Sequence, residues 1–276
     1  MFPRIARRLP LMLAAAALLA GCQTMEGSRS AASPPPPSPQ QLTAEGLAAM
    51  KARDWQAARA ALEPAAKAGD AEAATALGRL YFDGHGVIRD FADAETWLKP
   101  AAEKGNAEAA YLLGEIAARG GTGVVQDPQA AAMWFGKAAD AGNAEASYRL
   151  GELALGGNDG PEDPAAAMRD FRRAADAGYS PAMTAIGSLY DQGRGVAQDE
   201  RQAMAWWHRA ADAGNGEAMR LIGEAYDEGR GAPQSSARAH EWLQRAADAG
   251  DERAVQLLQM PSAAAVSGGT GPAAVP

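Results

Sequence analysis

AADAGNGEAM, residues Ala210 to Met219, is the stretch whose reading decides the fold, because the chain carries six versions of it. The others begin at Ala65 (AAKAGDAEAA), Ala101 (AAEKGNAEAA), Ala138 (AADAGNAEAS), Ala174 (AADAGYSPAM) and Ala246 (AADAGDERAV). Successive copies lie 36, 37, 36, 36 and 36 residues apart. Self-similarity at that period marks supersecondary units that stack on one another.

Each copy punctuates helices. Gly69, Gly105, Gly142, Gly178, Gly214 and Gly250 suit the left-handed position that ends a helix. Asp70, Asn106, Asn143, Asn215 and Asp251 follow directly and are N-caps, able to accept from first-turn amides. Tyr179 breaks the rule, and Ser180-Pro181 is expected to cap one position later. The helix so opened carries Leu77-Gly78, Leu113-Gly114, Leu150-Gly151, Ile186-Gly187 or Ile222-Gly223, with an alanine four residues earlier. A mid-helix glycine costs about 1 kcal/mol relative to alanine. Its recurrence therefore predicts close approach by a neighbouring helix. Tyr81, Tyr190 and Tyr226 extend the same apolar stripe.

Gly-rich turns at Asp83, Asp191 and Asp227 close this first helix. Asp90, Asp127, Asp163, Asp199 and Ser235 are start signals for a second, two of them followed by proline. Trp97-Leu98, Trp134-Phe135, Phe171, Trp206-Trp207 and Trp242-Leu243 supply its bulk. The unit is a helical hairpin whose apolar face only its neighbours can bury, and the expected class is all-α.

The pattern from AAxxG through LGxxY and GxGV to AxxWxxAA resembles the Sel-one-like repeat (SLR), a relative of the tetratricopeptide repeat. It covers residues 65–259, as five repeats and a closing helix at 251–259. The resemblance implies a right-handed α-solenoid that serves as an interaction scaffold rather than an enzyme, with no cofactor and no metal. Residues 42–64, within LTAEGLAAMKARDWQAARAALEPAA, resemble a tetratricopeptide-type pair, with helices expected over about 42–52 and 54–67. The tail, 260–276, has too little apolar content to fold.

The N-terminus reads as a secretory signal over residues 1–21. Arg4, Arg7 and Arg8 precede an apolar run of 12 residues, Leu9 to Ala20. That run is short of the ~20 needed to span a bilayer. Leu19-Ala20-Gly21-Cys22 resembles the lipobox of bacterial lipoproteins, which implies cleavage after Gly21 and acylation of Cys22 by diacylglycerol and a fatty acid such as palmitate. Two or more acyl chains make a stable anchor. Gln23 in the next position implies, by the same resemblance, sorting to the outer membrane with the repeats facing the periplasm. Cys22 is the only cysteine, so no internal disulfide exists. Residues 22–41 include SPPPPSPQ, a semi-rigid polyproline spacer. Without the three leading arginines the chain has 23 basic against 34 acidic residues, which argues against nucleic acid.

By analogy with tetratricopeptide repeats, the first helices line the inner face of the coil. Tyr111, Tyr148, Glu115, Glu152, Arg220 and Glu224 are the candidate partner-binding residues there, within a surface richer in acids than bases. Glutamates in a first turn complement the helix dipole, which covers Glu72, Glu108, Glu145 and Glu217 but not Glu115, Glu152 or Glu224. An extended or basic protein segment would suit this face, with the tyrosines as amphipathic anchors. The Gly-x-Gly turns follow helices and lack a P-loop lysine. His85, His208 and His240 lie in separate repeats without ligand spacing, and GGNDGPED at 156–163 fits no EF-hand.

The expected function is a lipid-anchored envelope scaffold that binds another envelope protein, possible settings being export or cell-wall assembly. The alternative is an SLR enzyme or small-molecule binder acting on cell-wall or β-lactam-like ligands. It comes from cysteine-rich relatives, whose cysteine pair in each repeat is missing here.

Overall fold

Side-chain caps set the helix starts. Asp70, Asn106 and Asn215 each accept a hydrogen bond from the amide three residues on, at 2.8–2.9 Å. Asp90, Asp127, Asp163, Asp199 and Ser235 do the same for the second helices. Each such cap contributes ~1 kcal/mol. The repeat glycines between the helices take φ of 83° to 91°, as their C′ role requires.

In the computed structural model residues 36–156 and 162–259 are described. The expected signal (1–21), Cys22, most of the tether, Asn158, Asp159 and the tail (260–276) lie outside them. The first three hairpins are α1 (Pro39–Lys51) with α2 (Trp55–Lys67), α3 (Ala71–Asp83) with α4 (Phe91–Glu103), and α5 (Ala107–Arg119) with α6 (Pro128–Asp140). Three more follow: α7 (Ala144–Ala154) with α8 (Pro164–Asp176), α9 (Ser180–Gln192) with α10 (Glu200–Asp212), and α11 (Gly216–Glu228) with α12 (Ser236–Asp248). α13 (Glu252–Gln259) packs on α12. Among the described residues the only β feature is an isolated bridge, Gly121 to Val124. Each helix packs on the next in sequence, and α1 with α3 and α3 with α5 also touch. Both of those contacts join first helices, so in this part of the all-α solenoid the first helices lie on the tighter side.

The glycine of each first helix is the point of closest approach within a hairpin. A Cβ on Gly78 would sit 2.5 Å from Leu98, on Gly114 2.5 Å from Phe135, on Gly151 2.4 Å from Phe171, and on Gly187 2.4 Å from the Trp207 ring. Leu98, Phe135, Phe171 and Trp207 are all buried, as are the alanines four residues before them. The close approach expected from the Leu-Gly pairs is therefore what the glycines permit. A Cβ on Gly46 would likewise sit 2.5 Å from Leu62, so the N-terminal pair is built on the same contact.

Two starts differ from the sequence reading. α1 begins at Pro39 instead of 42, inside the stretch assigned to the tether. Ser38 forms a capping box with Gln41, and Pro39 stands at N1. α9 is preceded by Tyr179, which makes no side-chain cap, and Ser180 is already helical. Packing against α8 and α10 holds α9 in the common register and overrides the local signal. The neighbouring pairs are pinned laterally as well. His85 stacks on Trp55 with centroids 4.5 Å apart, Lys104 Nζ donates to Gly69 O at 3.0 Å, and Arg230 reaches Asp191 at 2.7 Å.

Gly114→Ala and Gly136→Ala are the same substitution on the two helices of one hairpin, with opposite expected signs. The methyl at 114 drives into Phe135, and overpacking of ~1–3 kcal/mol outweighs the helix-propensity gain. Nothing lies within 4 Å of a Cβ at 136, so that variant gains up to ~1 kcal/mol. Urea denaturation of the two variants checks both signs.

Candidate functional site

The first-helix side carries a polar cluster between α5 and α7. Glu115, one turn before the end of α5, has a side chain only 6% exposed and pairs with Arg119 on its own helix. Arg149 on α7 brings Nε to 3.1 Å from Glu115 Oε1, and its Nη1 donates to Glu152 at 2.8 Å. The Arg149 Nε is buried and misaligned for a hydrogen bond with Glu115, so that contact is an ion pair only. Tyr111 Oη donates to Glu145 across the same repeat boundary at 2.7 Å. These groups surround an open cavity of about 340 Å³ lined by Glu115, Arg119, Phe135, Arg149, Glu152 and Leu153.

Electrostatics follow burial and partners. Burial pushes the Tyr111 hydroxyl well above the ordinary tyrosine range, reinforced by its bond to Glu145. Burial does the same for Tyr148, helped by Glu152 and by the field of Glu217 from α11. For Arg149, burial works against the charge, but the Glu152 hydrogen bond and the Glu115 charge outweigh it and hold the guanidinium protonated.

A second cluster closes the C-terminal end. Arg220, buried on α11, reaches Glu224 at 2.7 Å and Asp251, the residue preceding α13, at 3.3 Å. Arg79 on α3 pairs with Glu108 on α5 at 2.8 Å. The polar residues of this face thus serve largely as ties, several of them between repeats.

The candidate residues from sequence separate accordingly. Glu115 and Arg220 are buried and internally paired, and Glu224 is spent on Arg220. Tyr111 is half-buried against Phe135, and Tyr148 packs on Phe171 and Tyr179. Glu152 stays 40% exposed beside Arg149, and Glu217 stays 61% exposed at 3.6 Å from the Arg220 guanidinium. Sequence reading missed Arg149, the central cation. Its signal was local: Glu145 four residues before it and Glu152 three after share its helix face. His85 and His208 serve in aromatic stacks, and no group of three potential ligands gathers among the described residues. None of the described helices is long and apolar enough to cross a membrane.

Comparison with known proteins agrees with this geometry. The family model described as Sel1 repeat matches residues 71–106, 107–143, 144–179, 180–215 and 216–251. The crystal structure of a Sel1 repeat protein from Oxalobacter formigenes is 32% identical, with a TM-score of 0.71 over 79% of this chain and 86% of that one. A protective antigen present in uropathogenic Escherichia coli strains and displaying an SLR fold is 25% identical, with a TM-score of 0.73. That match covers 80% of this chain but only 48% of the antigen. No curated protein matches the chain significantly.

Glu115→Gln is expected to cost ~1–3 kcal/mol, because it leaves the Arg149 Nε without its counter-charge. Measurement is by urea denaturation at neutral pH. Alkali gives a second check. Unfolded tyrosine ionises near pH ~10 while Tyr111 and Tyr148 stay neutral to higher pH, so stability falls as pH rises through that value. The double variant Tyr111→Phe/Tyr148→Phe should flatten this fall.

Proposed function

The chain belongs to the Sel1 repeat family, and from that premise we propose that it is a lipid-anchored scaffold of the cell envelope that binds a partner protein along its first helices. Sel1 repeat solenoids generally mediate protein–protein interaction. The reading is supported by one observation above the rest: first-helix carboxylates exceed the arginines that pair with them. Glu152 and Glu217, although paired with Arg149 and Arg220, keep 40% and 61% of their side chains exposed. The half-buried Tyr148 ring lies within the field of both.

A surface of that kind suits an extended protein segment with basic side chains. Cations meet the exposed carboxylates, and apolar stems lie on the tyrosine rings. Charge complementarity of this sort raises the association rate and selects the partner more than it raises affinity.

The anchor is proposed from Leu19-Ala20-Gly21-Cys22, with acylation of Cys22 and attachment to the outer membrane on its periplasmic side. The Pro-rich segment after it would hold the solenoid off the bilayer, at ~3.1 Å per residue in polyproline II.

Two measurements test the two halves. A photo-cross-linking residue at Tyr148 or Glu217 should trap one defined protein in cells, and the same residue at the exposed Gln244 on α12 should not. Trapping of lipid only, or equal trapping from all three positions, would remove the first-helix face from consideration. For the anchor, Cys22→Ser should move the protein from the membrane fraction to the soluble fraction and abolish incorporation of labelled palmitate.

A further inference from the structure

We propose that the solenoid contains a seam at α7, so that it opens as two cooperative blocks, α1–α6 and α8–α13, rather than as one. Every other repeat buries large apolar side chains from its first helix: Leu77 and Leu80 on α3, Leu112, Leu113 and Ile116 on α5, Met183, Ile186 and Leu189 on α9, and Met219 and Ile222 on α11. On α7 the only buried apolar side chain is Ala146. Leu150 holds the register of Leu113, Ile186 and Ile222, yet it is partly exposed where those three are buried. α7 is also shorter, 11 residues against 13 for the other first helices.

The buried core forms three clusters. Two of them interleave on α3, where Ala73 and Ala74 are adjacent and Ala66 and Tyr81 pack against both clusters, whereas the other division falls at α7. One cluster ends with Ala146 on α7 and another begins with Ala167 on α8; apart from Ala146, α7 touches the two through partly exposed residues. Arg149 is the chemical reason. Its register is filled by Leu112 on α5 and Leu221 on α11, and by alanine at Ala76 and Ala185. What crosses from α5 to α7 includes the Glu115–Arg149 ion pair, whose Nε makes no hydrogen bond. Desolvation offsets most of the attraction in such a pair, so it is a poor substitute for apolar burial. In a stack whose stability is a sum of unit and nearest-neighbour terms, cooperativity breaks at the weakest unit.

Hydrogen exchange of the full chain reads this directly. Amides of α7 are expected to exchange about tenfold or more faster than those of α5 and α9, although α7 stands mid-stack, away from fraying ends. Rising urea should remove protection from α3–α6 and from α9–α12 at different concentrations. Protection of α7 within about threefold of its neighbours, with all repeats lost together, would overturn the proposal. The double variant Glu115→Ser/Arg149→Leu installs side chains that Ser188 and Leu221 already provide at these registers. It should slow α7 exchange toward the α9 level, and unchanged exchange would also count against the proposal. Should the double variant not fold, exchange of the unmodified chain decides alone.

Discussion

Contact between a bare Cα and a bulky side chain is the constraint from which the rest of this structure follows. At Gly78, Gly114, Gly151 and Gly187 the second helix comes so close that its leucine or aromatic side chain fills the space of a missing Cβ. Two consequences follow. The separation of the paired helices is set by van der Waals contact, and the loops after α3 and α5, residues 84–90 and 120–127, both lead into it. The alanines that flank each contact, such as Ala109 and Ala131, are wholly buried because nothing larger fits at that separation. A solenoid of 36-residue units is the outcome of repeating that single contact.

Stacking is a separate problem with different chemistry. Small residues close each hairpin, but polar ties help to join neighbouring hairpins: Lys104 to Gly69 O, Arg79 to Glu108, Tyr111 to Glu145, Arg230 to Asp191. Several of these sit partly in solvent, where one ion pair is worth little. Their value is directional. Apolar faces of alanine and leucine can slide, whereas a hydrogen bond has one register. The ties therefore specify how units sit, and the apolar area between them supplies most of the affinity.

The fold was legible because its signals are local and repeated. Gly-Asn and Gly-Asp junctions, Asp-Pro starts and Leu-Gly pairs each carry a backbone reason, and six copies average out the exceptions. Where an exception stood alone, local reading failed. Ser180 looked like a cap, but the common register made it part of the helix. Ser38 looked like tether, but Gln41 made it a capping box. The site was less legible. Glu115 and Arg220 stood at the expected first-helix positions, yet their burial depends on partners beyond their own helix that no spacing rule supplies. Arg149 was overlooked because its register belongs to alanine and leucine elsewhere.

That last point separates packing from function inside one chain. All five family repeats solve the same packing problem, so a position that packing controls should look alike in each. Ala73, Ala109, Ala146, Ala182 and Ala218 do, and so do the glycines five residues after them. Two and three residues after those alanines the repeats diverge: Thr75 and Ala76, Tyr111 and Leu112, Tyr148 and Arg149, Thr184 and Ala185, Arg220 and Leu221. The stack tolerates threonine and alanine there, and repeats one and four show that it needs no more. Tyr111, Tyr148, Arg149 and Arg220 therefore stand at registers where the repeat unit accepts different side chains, and three of the four come from the two central hairpins. The surface thus differs from repeat to repeat, on a frame that does not.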